Sequence, residues 1–378
     1  MNTVPDGSAA PALGGTPKRR VIPDPPEMDQ GGGRRTLWFL LVLALAAAVA
    51  MAAVGTLNTL ADPYGSMGLH YLPTVTTSDR TVKADAIEEL KQPPQLIVLG
   101  SSRSMRYEPA YLKKKTGLRA FNAGVNGIGG TADAWAMSNF IDEVWPAAAP
   151  RYLWLLDVES FVPFKIQGST ATEPRLAKFV GRAVATEDVG GLAGAIRQNR
   201  TTLFSLATAW DSIRLIVNRD EASSKQSRFQ RLIQPDGVLE MRPWSEAGWK
   251  VRFPGSVKRY GNLYRNAFKR LDPESERYFE KTLAFMNHRG IRPVVVLTPI
   301  NPKLRAIVGP LGWDRRHREV VAYVTSLEGT YDLVFLDLTD PAVFGFDPVQ
   351  FYDGVHPTEL NTRRAIDYVL AQTGGFAD

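Results

Sequence analysis

The 378-residue chain contains no cysteine, which removes disulfides, thiolate nucleophiles and thiolate metal sites from the possible chemistry. The missing thiols do not identify a compartment, because exported proteins without cystines are common. Histidine is scarce as well. His70, His288, His317 and His356 are the only four, and no two of them stand at metal-ligand spacing. A metal-free mechanism is therefore expected. No internal repeat occurs, which excludes solenoid and propeller architectures. Acidic charge is thin in one stretch, Phe161 to Arg270, where 19 Lys/Arg face 9 Asp/Glu, a local excess of 19 − 9 = +10. That excess is larger than the net charge of +6 carried by the whole chain.

The longest uncharged run is Thr36 to Leu57, TLWFLLVLALAAAVAMAAVGTL. At 1.5 Å per residue, its 22 residues match a hydrocarbon core about 30 Å thick. The expectation is a single membrane-spanning helix, with a cleaved signal peptide and a buried core helix as the rival readings. Five basic residues (Lys18, Arg19, Arg20, Arg34 and Arg35) precede the run, and none follows it through Asp79. Basic residues accumulate on cytoplasmic flanks, so residues 1–35 are expected as a disordered cytoplasmic tail and the remainder of the chain outside, in the periplasm of a bacterium. Residues 58–94 are read as a connector.

From Gln95 onward, continuous apolar runs alternate with helical patterns. Strands are expected at Gln95–Leu99, Arg119–Ala123, Tyr152–Leu156, Pro293–Leu297 and Leu333–Leu336. Helices are expected at Thr131–Val144, Pro273–His288, around Trp313–Leu327, and from Pro357 to the end. Strands apolar on both faces point to a parallel sheet covered on both sides, which is a doubly wound, flavodoxin-like α/β fold over residues 95–160 and 273–378. Residues 161–272 break the rhythm. They read as a basic insertion, helical around Gly191–Val217 and turn-rich around Gln234–Gly261, with aromatics (Trp244, Trp249, Phe253, Tyr260, Tyr264, Phe268) interleaved among cations that include Lys258 and Arg259. Trp244, Trp249, Lys258 and Arg259 are candidate contacts for an acidic sugar or lipid headgroup. A solvated basic face over ordinary core aromatics fits the same pattern. Nucleic acid is not expected on the outer side of a membrane.

Two short motifs carry chemistry. Gly100-Ser101-Ser102-Arg103-Ser104 follows the first strand, and a glycine two residues before a serine lets the chain turn sharply and expose the Ser102 hydroxyl. Near the far end stands Asp353-Gly354-Val355-His356-Pro357. Asp and His three residues apart can fold back so that the carboxylate accepts the imidazole Nδ1–H, leaving Nε2 to take a proton from a serine. Pro357 suits the first position of a following helix.

Taken together these blocks resemble the SGNH, or GDSL-type, hydrolase family. Gly100-Ser101-Ser102 resembles its first block, with Ser101 in place of the usual Asp, and Asp353, His356 and Pro357 match its D-x-x-H-P block. Asn122-Ala123-Gly124-Val125-Asn126-Gly127 resembles the second block and implies Gly127 as an oxyanion-hole donor beside the Ser102 amide. The third block departs from the pattern: where the family has Gly-x-Asn-Asp, this chain reads Asp157-Val158-Glu159-Ser160. The membrane tether is similar to that of the family's cell-envelope acyl-transfer members, such as the teichoic-acid D-alanylation protein. The resemblance implies a serine esterase or O-acyltransferase with Ser102, His356 and Asp353 as catalytic residues and no cofactor. Its substrates would be an envelope polysaccharide or another acyl ester, with a membrane acyl-donor protein as a possible partner at the inner membrane. The alternatives are a catalytically silent glycan-binding scaffold of a polysaccharide assembly machine and a membrane-tethered lipase or thioesterase.

Overall fold

The computed structural model describes residues 30–63, 71–72, 78–127, 130–163, 173–180, 203–218, 230–240 and 243–376. The first 29 residues of the expected tail, His70, and residues 191–202 of the expected helical stretch lie outside them. The chain divides into two compact units, residues 1–52 and 53–378.

Helix α1 runs unbroken from Gln30 to Ala61, longer at both ends than the uncharged run that announces it. Its Gly33–Ala61 portion is long and apolar enough to cross a membrane. The most apolar window has a mean hydropathy of 2.7 and none of it is buried, which removes the core-helix reading.

In the second unit five strands form one parallel sheet in the order β2-β1-β3-β4-β5. They are β1 (Leu96–Gly100), β2 (Ala120–Asn122), β3 (Arg151–Leu156), β4 (Val294–Leu297) and β5 (Val334–Asp337). Each lies within one residue of its expected start and end. Side chains alternate across the pleat, so every strand supplies two cores. Ile97, Leu99, Tyr152, Trp154, Leu156, Val295 and Leu297 enter one cluster, together with α2 (Asp79–Glu88), α4 (Thr131–Val144), α8 (Pro273–His288) and α10 (Asp314–Leu327). Leu96, Val98, Leu153, Leu155, Val294 and Val296 enter the other, with α3 (Pro109–Thr116) and α11 (Glu359–Thr373). Burying both faces accounts for the absence of polar alternation in the strands.

Several elements differ from the sequence expectation. Helix α2 falls in the stretch read as connector, yet Ala84 and Ile87 are fully buried in the core, and Ser78 caps its start. The region read as turn-rich contains a 17-residue helix, α7 (Glu246–Asn262), with Pro254 inside it. Ser245 caps α7, and Trp249 stacks on Phe253 one turn later at 4.6 Å; this pairing offsets the breaking tendency of Pro254, Gly255 and Gly261. Tyr260, Tyr264 and Phe268, grouped with the candidate binding aromatics, are buried in the core instead. A further helix, α9 (Pro302–Val308), went unread. Pro357 does not open the last helix. It pairs with Phe351 in an isolated bridge, and Thr358 holds the cap position before α11. The two remaining α-helices among the described residues are α5 (Pro174–Ala177) and α6 (Leu206–Val217).

The described parts of the 161–272 segment are built into the fold rather than appended to it. Asn122 donates its backbone N–H to Asp236 O, and Leu239 donates its own to Met105 O, so residues 236–239 run beside β2 and the turn after β1.

Candidate active site

The chain leaves β1 through Gly100, whose φ of +144° is open to glycine and costly for other residues. A Cβ at this position would stand 2.4 Å from Leu155 O and 2.9 Å from the Ser104 side chain, so sheet and turn leave room only for hydrogen. The turn then presents three serines to different surroundings. Ser101 is buried and donates its hydroxyl to Asp157 Oδ2. Ser104 is also buried and donates to Ser101 O at 2.7 Å. Ser102 alone is partly open. Its Oγ lies 2.8 Å from His356 Nε2. His356 Nδ1 in turn lies 2.7 Å from Asp353 Oδ2, so residues separated by more than 250 positions in sequence form one hydrogen-bonded chain.

The Asp353–His356 turn is fixed by its own backbone: Asp353 Oδ1 accepts from Val355 N–H at 2.8 Å and from His356 N–H at 3.0 Å. Burial by itself would raise the Asp353 pKa, but His356 and these two amides hold it well below the usual carboxylate range. With a depressed folded value, the stabilisation from this ionised group is complete above the ordinary carboxylate pKa and is lost as pH falls toward the folded one. Helix α7 and the residues leading into it support the turn from outside. Gly354 N–H donates to Ser256 Oγ at 3.2 Å, Trp244 Nε1 donates to Phe351 O at 2.6 Å, and the Arg252 guanidinium lies 5.8 Å from the Tyr352 ring centre. Trp244 is half-buried against this loop and Trp249 is half-buried against Phe253 and the Lys303 ammonium, whereas Lys258 and Arg259 are exposed farther along α7.

Gly127 sits after β2 with φ +150°, and neither its amide nor that of Ser102 has a hydrogen-bond partner among the described residues. The preceding peptide is clamped by α2: Asn126 N–H donates to Asp79 Oδ2, while Arg80 Nη1 donates to Asn126 O at 3.1 Å. Arg80 also forms a two-pronged buried pair with Asp133, at 2.7 and 2.6 Å. Lys83, wholly buried, donates to Asn122 O and Gly237 O, and burial pushes its amine down to about 7. Asn122 Nδ2 bridges Ser104 O and Tyr107 O, both at 2.8 Å, tying β2 to the turn that carries Ser102.

Beneath that turn lies a buried polar network that the motif reading missed. Arg103 Nη2 reaches Glu159 Oε2 at 2.7 Å and Tyr260 Oη at 3.5 Å; its Nη1 reaches Thr298 Oγ1 at 3.3 Å, and its Nε lies 3.6 Å from Asp157 Oδ1. Tyr264 Oη donates to Glu159 Oε1, and Thr298 Oγ1 donates to Asp157 Oδ1. Burial alone would lower the Arg103 pKa, but Asp157 and Glu159 outweigh it and drive the value upward, so the guanidinium is a fixed cation. Asp157 and Glu159 are committed to Ser101, Thr298, Arg103 and Tyr264 below the serine turn. One signal is legible in the sequence, namely two acids, Asp157 and Glu159, within three residues of the end of the apolar run Tyr152–Leu156.

No three His, Asp or Glu side chains gather in metal-binding geometry among the described residues. No protein-family model matches the chain, and no curated protein matches it.

Proposed function

We propose that the protein is an SGNH-like serine esterase or O-acyltransferase that forms an acyl-Ser102 intermediate. The observation that carries this reading is the Ser102–His356–Asp353 relay of 2.8 and 2.7 Å. His356 Nε2 takes the Ser102 proton as Oγ attacks the acyl carbonyl, and Asp353 holds the ring with Nδ1–H toward itself. The oxyanion is received by the free amides of Ser102 and Gly127. His356 then protonates the leaving oxygen. Water or a glycan hydroxyl, deprotonated by the same imidazole, releases the acyl group. The strand order β2-β1-β3-β4-β5 supports a doubly wound, flavodoxin-like sheet, in which ligands gather at the carboxyl ends near the switch between β1 and β3, the position of Ser102. Turnover of p-nitrophenyl acetate by the full chain in detergent tests the activity.

The reading extends to place. With five basic residues before Thr36 and none from Thr36 through Asp79, the N-terminus belongs in the cytoplasm and the site in the periplasm of a bacterium, facing an envelope polysaccharide or another acyl ester. Alkaline phosphatase fused after Asp378 is expected to be active, and a fluorescent cytoplasmic reporter at the same point dark. The reverse pattern sinks both the topology and the envelope substrate.

A silent glycan-binding scaffold is the second reading. Its support is the pair Asp157 and Glu159, which leaves the third block without an amide side chain to donate to an oxyanion.

A further inference from the structure

Helix α6 (Leu206–Val217) is amphipathic in the reverse sense for a helix on the surface of a water-soluble domain. The side facing the rest of the protein carries small or polar groups, Thr208, Ala209 and Ser212, with Leu215 as the one large apolar residue buried there. The large apolar side chains stand outward: Leu206 is 77% exposed, Trp210 56%, Ile213 41% and Val217 78%. Spaced at i, i+4, i+7 and i+11, these four form a single stripe, which Ile216 and the preceding Phe204 widen; both are about half exposed. Arg214 flanks the stripe, its guanidinium 5.4 Å from the centre of the Trp210 ring.

The start of α6 is bound to the last two turns of α1. Asn58, buried, donates its side-chain amide to Leu203 O at 2.6 Å and to Ser205 O at 3.2 Å, and accepts from Ser212 Oγ at 2.9 Å. Gly55 leaves room for the Phe204 ring, which would stand 2.8 Å from a Cβ at that position. The exposed stripe therefore adjoins the end of the one helix among the described residues that is long and apolar enough to cross a bilayer.

We infer that α6 is an interfacial helix that lies on the lipid bilayer at the surface where α1 emerges, with Leu206, Trp210, Ile213 and Val217 in the acyl-chain boundary. The inference rests on α1 spanning that bilayer. Continuity with α1 selects lipid as the occupant, since any surface bound to residues 55–58 of an emerging helix is held at headgroup level. The composition agrees, with a tryptophan within the apolar stripe and an arginine at its edge.

The absence of cysteine makes a spin-label test clean. Single nitroxides are placed by Leu206→Cys, Ile213→Cys and Val217→Cys on the stripe, Asp211→Cys beside it, and Val49→Cys in α1. The full chain is reconstituted in phosphatidylethanolamine–phosphatidylglycerol vesicles. Labels at 206, 213 and 217 are expected to collide several-fold more often with oxygen than with a water-soluble nickel chelate, and the label at 211 to show the reverse. If position 49 reports lipid while the stripe reports water, the interfacial helix is refuted and the anchor survives. Stripe labels shielded from both reagents mean that protein covers the face, which also refutes the inference. Water at position 49 refutes the anchor, and the inference falls with it.

Discussion

Ser102→Ala and His356→Ala are each expected to lower kcat for p-nitrophenyl acetate by as much as about a millionfold, because nucleophile and base act as one unit and either loss disables it. Asp353→Asn leaves the hydrogen-bonded turn nearly intact but favours the wrong imidazole tautomer, so a loss of about ten-thousandfold is expected. Ser101→Ala and Ser104→Ala are the informative comparisons. Both hydroxyls are buried and committed to acceptors inside the protein, so their removal should act through folding stability and leave an acyl adduct on Ser102. Steady-state rates and circular dichroism of the same preparations separate the two effects. Retention of the wild-type rate by Ser102→Ala would overturn the assignment of the nucleophile.

The second large effect concerns the floor of the site. Arg103→Ala is expected to destabilise the Ala53–Asp378 unit by about 3–5 kcal/mol, because it leaves the carboxylates of Asp157 and Glu159 buried without their cation. Arg103→Lys keeps the charge but cannot reach Glu159, Thr298 and Tyr260 together, so a smaller loss is expected. Combining Arg103→Met with Glu159→Gln removes both members of the closest ion pair and should be less damaging than Arg103→Ala alone. Thermal melts of the four proteins in one detergent check the order. An Arg103→Ala melt indistinguishable from wild type would mean that the network contributes nothing to stability.

The distribution of readable and unreadable features follows from the range of the interactions. Strands buried on both faces announce themselves as local apolar runs, which is why β1 to β5 fall where Ile97, Trp154 and Val295 predict. Gly100 and the Asp353–His356 spacing are likewise local, since a turn encodes its own geometry within a few residues. Arg103, by contrast, meets Glu159, Tyr260 and Thr298, partners 56, 157 and 195 residues away, and no short window contains that relation. Helix α7 escaped notice because Pro254, Gly255 and Gly261 are local breakers, overridden by the Ser245 cap, the Trp249–Phe253 stack and burial of Tyr260. Helix α2, DRTVKADAIE, is largely polar and carries no apolar run of its own to mark it off from the connector. Its role is visible only where Asp79, Arg80 and Lys83 reach the β2 loop. The outward stripe of α6 was hidden for another reason: an apolar periodicity says that a face is covered, not by what.

The central claim is that Ser102 is an activated nucleophile, and active-site labelling with a fluorophosphonate tests it most directly. The full chain in detergent is treated briefly with the probe, digested and mapped by mass spectrometry. A single adduct is predicted on Ser102, absent from Ser102→Ala and greatly slowed in His356→Ala. Absence of label from a folded wild-type protein, or equal labelling of Ser102→Ala, would contradict the claim and leave the silent-scaffold reading in its place.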